Sequence, residues 1–185
     1  MPLPYADAVI TPGLRFRTLT ETDAPLLVEA TATETAPALW GPNPPGPYTL
    51  ADAATALREW SDEQVSFGLL DGDRLLATFG LMAEAEICYW TPPPHRGNGY
   101  AVTGLRFLAR WSLEQAGLGR TWLEIQPGNE PSLRVAERAG FRFDHLAAGH
   151  CPIWEDGRLT GARHDCLIYV SSGSRTTSSP GAEPY

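Results

Sequence analysis

The sequence predicts a single α/β domain in which a mixed sheet carries helices on its faces. Two apolar runs, residues 65–70 and 75–81, flank Asp71-Gly72-Asp73, a hairpin signal. Val102, Leu105, Ala109, Leu113 and Ala116 recur at the three- and four-residue spacing of an amphipathic helix. A glycine-rich turn, Arg96-Gly97-Asn98-Gly99-Tyr100-Ala101, joins that helix to the strand before it. Strands and helices that alternate in this way pack most simply as a sheet with helices laid on it.

Leu14, Phe16 and Thr18 alternate with Arg15 and Arg17, the pattern of a half-buried first strand. Thr20 and Asp23 stand at capping-box spacing ahead of a short helix over residues 24–32. Residues 36–48 hold Pro37, Pro42, Pro44, Pro45 and Pro47. Rings that remove backbone donors exclude regular structure, so this segment is a loop, and it carries Trp40 and Tyr48. Thr49 and Asp52 repeat the capping spacing before a second helix that runs to about residue 64. After the hairpin, a strand over residues 85–91 ends at Pro92-Pro93-Pro94. Gly117 stops the amphipathic helix, and a strand over residues 121–126 follows. Asn129 caps a fourth helix, with Pro131 in its first turn and Gly140 at its end. Two closing strands, 141–151 and 162–170, surround a turn containing Asp156-Gly157. The order is β α α β β β α β α β β. Residues 1–13 are expected to be an N-terminal extension, 14–170 the domain, and 171–185 a disordered tail rich in Ser, Thr, Gly and Pro.

Composition removes several functions. Of 185 residues, 22 are acidic and 14 basic, so the formal charge is −8, and every basic residue is arginine. Without lysine there is no Schiff base and no Walker-type phosphate site. The acidic balance argues against nucleic acid as a partner and favours a cationic one. The longest apolar run, residues 75–83, is broken by Thr78 and Gly80 and falls far short of the roughly 18 residues of a membrane helix. Residues 1–11 have no basic start or long apolar core, so no secretory signal and no membrane association are expected. Cys88, Cys151 and Cys166 are too few for a disulfide framework and form no C-x-x-C pair, which points to a reducing, cytoplasmic setting. His150-Cys151 and His164 with Cys166 invite a zinc reading. Pairs facing alternate sides of a sheet without familiar ligand spacing predict no metal. A monomer or a homodimer is expected.

The glycine turn is the most informative stretch. Glycines let the backbone direct its N–H groups inward, and the helix start adds partial positive charge, so Arg96 to Ala101 can cradle an anion. Plain turn chemistry is the other reading of the same residues. A dinucleotide fold fits poorly, because the third residue past Gly99 is Val102 where a glycine would be needed.

At this turn the sequence resembles the GNAT superfamily of acyl-CoA-dependent N-acetyltransferases. Arg96, Gly99 and Ala101 fit its R-x-x-G-x-A pyrophosphate motif. The run Glu86-Ile87-Cys88-Tyr89-Trp90, then Pro93, the glycine turn, and N-E-P-S-L-R-V-A-E-R-A-G-F from Asn129 to Phe141 is similar to the RimJ/RimL ribosomal-protein-type branch, as is the proline-rich segment with Trp40 and Tyr48. The resemblance spans about residues 14–170 and implies a mixed, mostly antiparallel central sheet flanked by helices, with acetyl-CoA as co-substrate and no metal. It implies that the strand ending at Trp90 and Thr91 pairs with the pantetheine arm, and that Arg96, Gly97, Asn98, Gly99, Tyr100 and Ala101 offer amides to the pyrophosphate. Asn129 would contact the arm from the opposite side, and Ser132 would sit near the thioester sulfur. Cys88 stands where the branch commonly has glycine, Thr103 where it often has glutamate, and Ala136 where many relatives carry a proton-donating tyrosine.

Aminolysis of a thioester needs a neutral amine, a donor for the oxyanion and a proton or hydrogen bond for the departing thiolate. Glu86 is the candidate base, unless it is a solvated strand residue. Ser132 or a water is the candidate for the thiolate, unless Ser132 only satisfies its own backbone. Asn129 is a cap that can also contact cofactor. Trp40, Tyr48 and Trp60 line an acceptor pocket or are ordinary packing aromatics. The expected function is acetyl transfer from acetyl-CoA to a primary amine, an α-amine of a peptide or protein or a small-molecule amine. The rivals are a small-molecule acetyltransferase acting on an antibiotic or polyamine and a catalytically silent acyl-CoA-binding module.

Overall fold

The expected strands and helices all form, and one strand more. The computed structural model describes residues 5–36, 46–82, 84–155 and 158–172, with side chains at 59–63 excepted. Trp40 and most of its proline-rich segment, the Trp60 side chain, the Asp156-Gly157 turn and the 173–185 tail lie outside the described residues. Strands β1 (Asp7–Thr11) and β2 (Leu14–Thr18) are followed by a single 3-10 turn and by helices α1 (Ala24–Thr31) and α2 (Leu50–Glu63). Then come β3 (Gln64–Asp71), β4 (Arg74–Met82), β5 (Ile87–Trp90), α3 (Tyr100–Glu114), β6 (Arg120–Ile125), α4 (Glu130–Ala139), β7 (Arg142–Glu155) and β8 (Arg158–Ser172).

The local chemistry read from the sequence is visible at the element ends. Asp23 accepts the Thr20 amide at 2.8 Å. Asp52 and Thr49 exchange two reciprocal bonds at the start of α2, 2.9 and 3.2 Å long. Asp71 pairs with Arg74 across the β3–β4 turn, where Gly72 takes a φ of 59°. Two boundaries differ from expectation. Residues assigned to an N-terminal extension form β1, which pairs antiparallel with β2 and is held there by an Asp7–Arg15 ion pair. At the other end Ser171 and Ser172, assigned to the tail, pair with Thr121 and Arg120 as the last residues of β8.

Five strands form one sheet in the order β1-β2-β3-β4-β5, and three form a second in the order β6-β8-β7. Helices cover both faces of the larger sheet. On one side Phe16, Phe67, Phe79 and Ile87 pack against Val102, Leu105 and Leu108 of α3. On the other, Leu19, Leu70 and Leu75 meet Leu27 of α1 and Ala53 and Leu57 of α2. With helices on both faces, β3 is buried along nearly its whole length rather than on alternate residues. Gly104 lets α3 settle closely on β4, since a Cβ there would stand 2.2 Å from the Phe79 ring.

The two sheets meet at one point. Helix α3 returns the chain so that β6 runs parallel to β5, and a single bridge, Glu86 to Trp122, joins them. The Trp122 amide donates to the Ala85 carbonyl at 3.1 Å and its indole to the Glu84 carbonyl at 2.9 Å. Among the described residues pairing between β5 and β6 stops there, so the strands part toward Trp90 and Ile125 and open a wedge.

Candidate active site

Two parallel strands that part leave backbone N–H and C=O groups on their facing edges without a ladder partner, and such an edge pairs readily with an extended chain. The helices that follow these strands, α3 and α4, both begin at the open end of the wedge. Their N-termini bring free amides and partial positive charge to the crevice beyond the strand ends, the usual ligand position in open α/β sheets.

The turn before α3 is built for close backbone approach. Gly97 and Gly99 have φ of 79° and 81°, and a Cβ at either would meet nothing within 4 Å, so their outer side is open space. Asn98 folds inward, its amide donating to the carbonyls of His95 and Arg96 at 3.2 Å each. Tyr100 and Ala101 open α3. The Arg96 guanidinium is held by two partners. It donates to the Thr91 carbonyl at 3.0 Å and meets Glu34 Oε2 at 2.5 Å. Glu34, with its side chain 1% exposed, also accepts the Trp90 indole N–H at 2.7 Å and the amides of Thr35 and Ala36 at 2.9 Å. These donors hold its carboxyl below the usual carboxylate range against the opposing effect of burial. Glu34 therefore ties the end of α1 to β5 and to the glycine turn. No local pattern in the sequence marks it, because its partners lie 56 and 62 residues away.

Asn129 caps α4, its side-chain oxygen accepting the Ser132 amide at 3.3 Å. The Ser132 hydroxyl accepts a 3.0 Å hydrogen bond from the Tyr89 hydroxyl. This contact crosses from β5 to α4. Tyr89 packs on the same cluster as fully buried Ala136, the position where a proton-donating tyrosine would otherwise stand. Burial pushes the Tyr89 hydroxyl above its ordinary value, so it remains a proton carrier at neutral pH. Tyr89 is absent from the functional residues expected from sequence, though period two along β5 turns it with Ile87 toward α3 and α4.

Glu86, Cys88 and Trp90 lie on the other face of β5. Glu86 is half-buried at the bridge, and its carboxyl is pushed up to about 7, first by burial and then by the charges of Glu124 and Glu84. A carboxyl with that value is half ionised at neutral pH, as a proton acceptor should be. Desolvation, and then the charge of Glu86, push the Cys88 thiol up to about 11. Tyr48 packs on the α1–α2 cluster, and its amide donates to the Thr31 hydroxyl at 3.1 Å.

The cysteines of the closing hairpin also depart from expectation. Cys151 and Cys166 are joined by a disulfide between β7 and β8. With His164 they share one side of the sheet, the three donor atoms lying within 4.8 Å of one another.

A wedge between parallel strands, a glycine turn at one helix start and a capped serine at the other are the arrangement expected from the sequence resemblance. The Acetyltransferase (GNAT) domain family model matches residues 13–142, and the chain belongs to that family. It is 30% identical over 110 residues to a probable N-acetyltransferase, YjcK, of Bacillus subtilis, covering 53% of this chain and 61% of that protein. The chain thus spans less than two thirds of the curated relatives it matches. Its fold is shared with the ribosomal-protein-S5-alanine acetyltransferase of Vibrio fischeri, at TM-score 0.73 and 16% identity over 92% of this chain and 98% of that one. It is shared also with RimJ of Mycobacterium smegmatis in complex with CoA-disulfide, at TM-score 0.69 and 16% identity over 95% and 90%. Among the described residues no helix is long and apolar enough to cross a membrane.

Proposed function

We propose that this protein transfers the acetyl group of acetyl-CoA directly to a primary amine, without a covalent acyl-enzyme. The observation that carries the reading is the wedge itself, an unpaired β5 edge running into the open glycine turn at the start of α3. The pantetheine arm adds to that edge as a strand would, and its pyrophosphate takes the amides of residues 97–101. The thioester then lies beside Ser132. Glu86 takes the ammonium proton, directly or through water, and the amine attacks the carbonyl. As the tetrahedral intermediate collapses, Ser132 gives its proton to the thiolate and regains one from Tyr89, whose hydroxyl already points at it, and the second proton of the attacking nitrogen, shed as the amide forms, returns through water to Tyr89.

The acceptor we infer is an α-amine of a peptide or a small amine of similar basicity. About 14% of an α-amine with pKa near 7.8 is neutral at pH 7, against about 0.04% of a lysine side chain near 10.4. A base at about 7 suits the first far better. The charge of −8, with Glu84 and Glu86 at the bridge, draws cationic acceptors. The test is thiol release from acetyl-CoA with peptides blocked at either the N-terminus or a single lysine, at low and high salt. The N-terminally free peptide should react, and kcat/KM should fall as salt rises. Preferred lysine acetylation would refute the acceptor assignment. Acetyl-CoA binding without thiol release on any amine would favour a silent binding module.

A further inference from the structure

The closing hairpin gathers donors that acetyl transfer does not use. On β8, His164 and Cys166 are two residues apart and so share a face. Cys151 of β7 sits opposite His164 in the antiparallel register. On β6, Glu124 pairs opposite Ile168, two residues beyond Cys166 and on that same face. Both cysteines are buried, at 3% and 0%, while His164 is half-buried. Glu124 Oε2 lies 3.1 Å from Cys151 Sγ, and its other oxygen lies 2.7 Å from His150 Nε2. In a disulfide the sulfur bears no proton, so this close approach sets lone pairs against lone pairs. A thiol proton or a cation between them removes the conflict.

We propose that, once the disulfide is reduced, Cys151, Cys166, His164 and Glu124 form a binding site for a thiophilic cation of the zinc class. Two thiolates, one imidazole and one carboxylate from three adjacent strands match the donor types and number of a closed tetrahedral site. His150 on the second Glu124 oxygen supplies the outer hydrogen bond that orients a ligating carboxylate. His164 Nδ1 stands 3.9 Å from Cys166 Sγ and 2.8 Å from the Asp165 carbonyl, and ligation exchanges the carbonyl contact for the ion. Tetrahedral geometry at Zn–S near 2.3 Å sets the sulfurs about 3.8 Å apart, so metal and disulfide exclude one another. In the reductive step two thiols of a small-molecule reductant break the S–S bond by exchange. Two electrons pass to the cystine, the reductant leaves as its own disulfide, and one proton resides on each cysteine. The cation then displaces those two protons.

The experiment uses the full chain without an affinity tag, with C88S to remove the third thiol, reduced with dithiothreitol and freed of it anaerobically. Cobalt(II) should bind at one equivalent with the visible bands of a tetrahedral site and near-ultraviolet thiolate charge transfer, and zinc(II) should displace it. The oxidised protein should show neither. Cys166→Ser should cut the charge-transfer band to about half and weaken zinc binding by at least about 100-fold, and His164→Ala by about 10-fold. Far-ultraviolet dichroism checks each variant for folding, and His164→Ala decides the matter where Cys166→Ser fails to fold. A reduced protein without the cobalt spectrum, equal binding by the oxidised form, or zinc affinity unchanged in His164→Ala would each overturn the proposal. Its outcome is independent of acetyl transfer.

Discussion

Replacing Glu86 by Gln tests the site through stability and rate together. The wild-type carboxyl moves from 4.5 to about 7 on folding, first because it is buried at the sheet junction and then because Glu124 and Glu84 are near. A tenfold change in proton affinity corresponds to about 1.4 kcal/mol, and residual solvent access at a half-buried group lowers the total to about 1–3 kcal/mol. The native state holds this proton more tightly than the unfolded chain. Stability from Glu86 is therefore unperturbed below 4.5, falls as pH rises to about 7, and is flat above. The neutral glutamine has no such slope. Urea unfolding from acid to pH 8 should show the variant gaining on wild type by about 1–3 kcal/mol across that window. A gain below about 0.5 kcal/mol, or one of opposite sign, would refute the burial argument. In the same variant kcat/KM should drop about 10²–10³-fold and lose the acid limb, the rise of activity with pH centred near 7. An unchanged inflection would remove Glu86 as the base while leaving the stability argument standing.

Gly99→Val puts a β-branched residue at a φ of 81° and a side chain into the open turn, so acetyl-CoA affinity by calorimetry should fall at least about 10-fold. Unchanged affinity would move the pyrophosphate elsewhere. Ser132→Ala should lower kcat about 10²-fold with acetyl-CoA affinity nearly intact, and Tyr89→Phe should lower it less, since Ser132 keeps its own proton. A parallel loss of affinity and kcat/KM would make Ser132 a binding or capping residue. Gly104→Ala gains about 1 kcal/mol of helix propensity but drives a Cβ to 2.2 Å from a Phe79 ring already packed against Phe16 and Tyr89. A net loss of about 1–2 kcal/mol in urea unfolding is expected, and a stabilised variant would contradict the packing.

The sequence by itself determined what is local. Capping pairs at Thr20–Asp23 and Thr49–Asp52, the Asp71-Gly72-Asp73 hairpin and the glycine turn at Arg96 to Ala101 each depend on residues a few positions apart, and each is present. Tertiary structure decided what depends on register and distance. Strand β1 has no signature of its own and exists because β2 offers an edge and Arg15 a partner for Asp7. Tyr89 meets Ser132 across 43 residues, a contact set by how far β5 and β6 part and where α4 begins. Period two alone sends His150 and Cys151 to opposite sides. A register shift in β7 between Ala147 and Cys151 sets which of them meets His164 and Cys166, and a bulge of that kind cannot be counted from composition. Short-range hydrogen bonds are written in neighbouring residues, whereas side chains brought together by strand pairing owe their meeting to the register of the whole sheet.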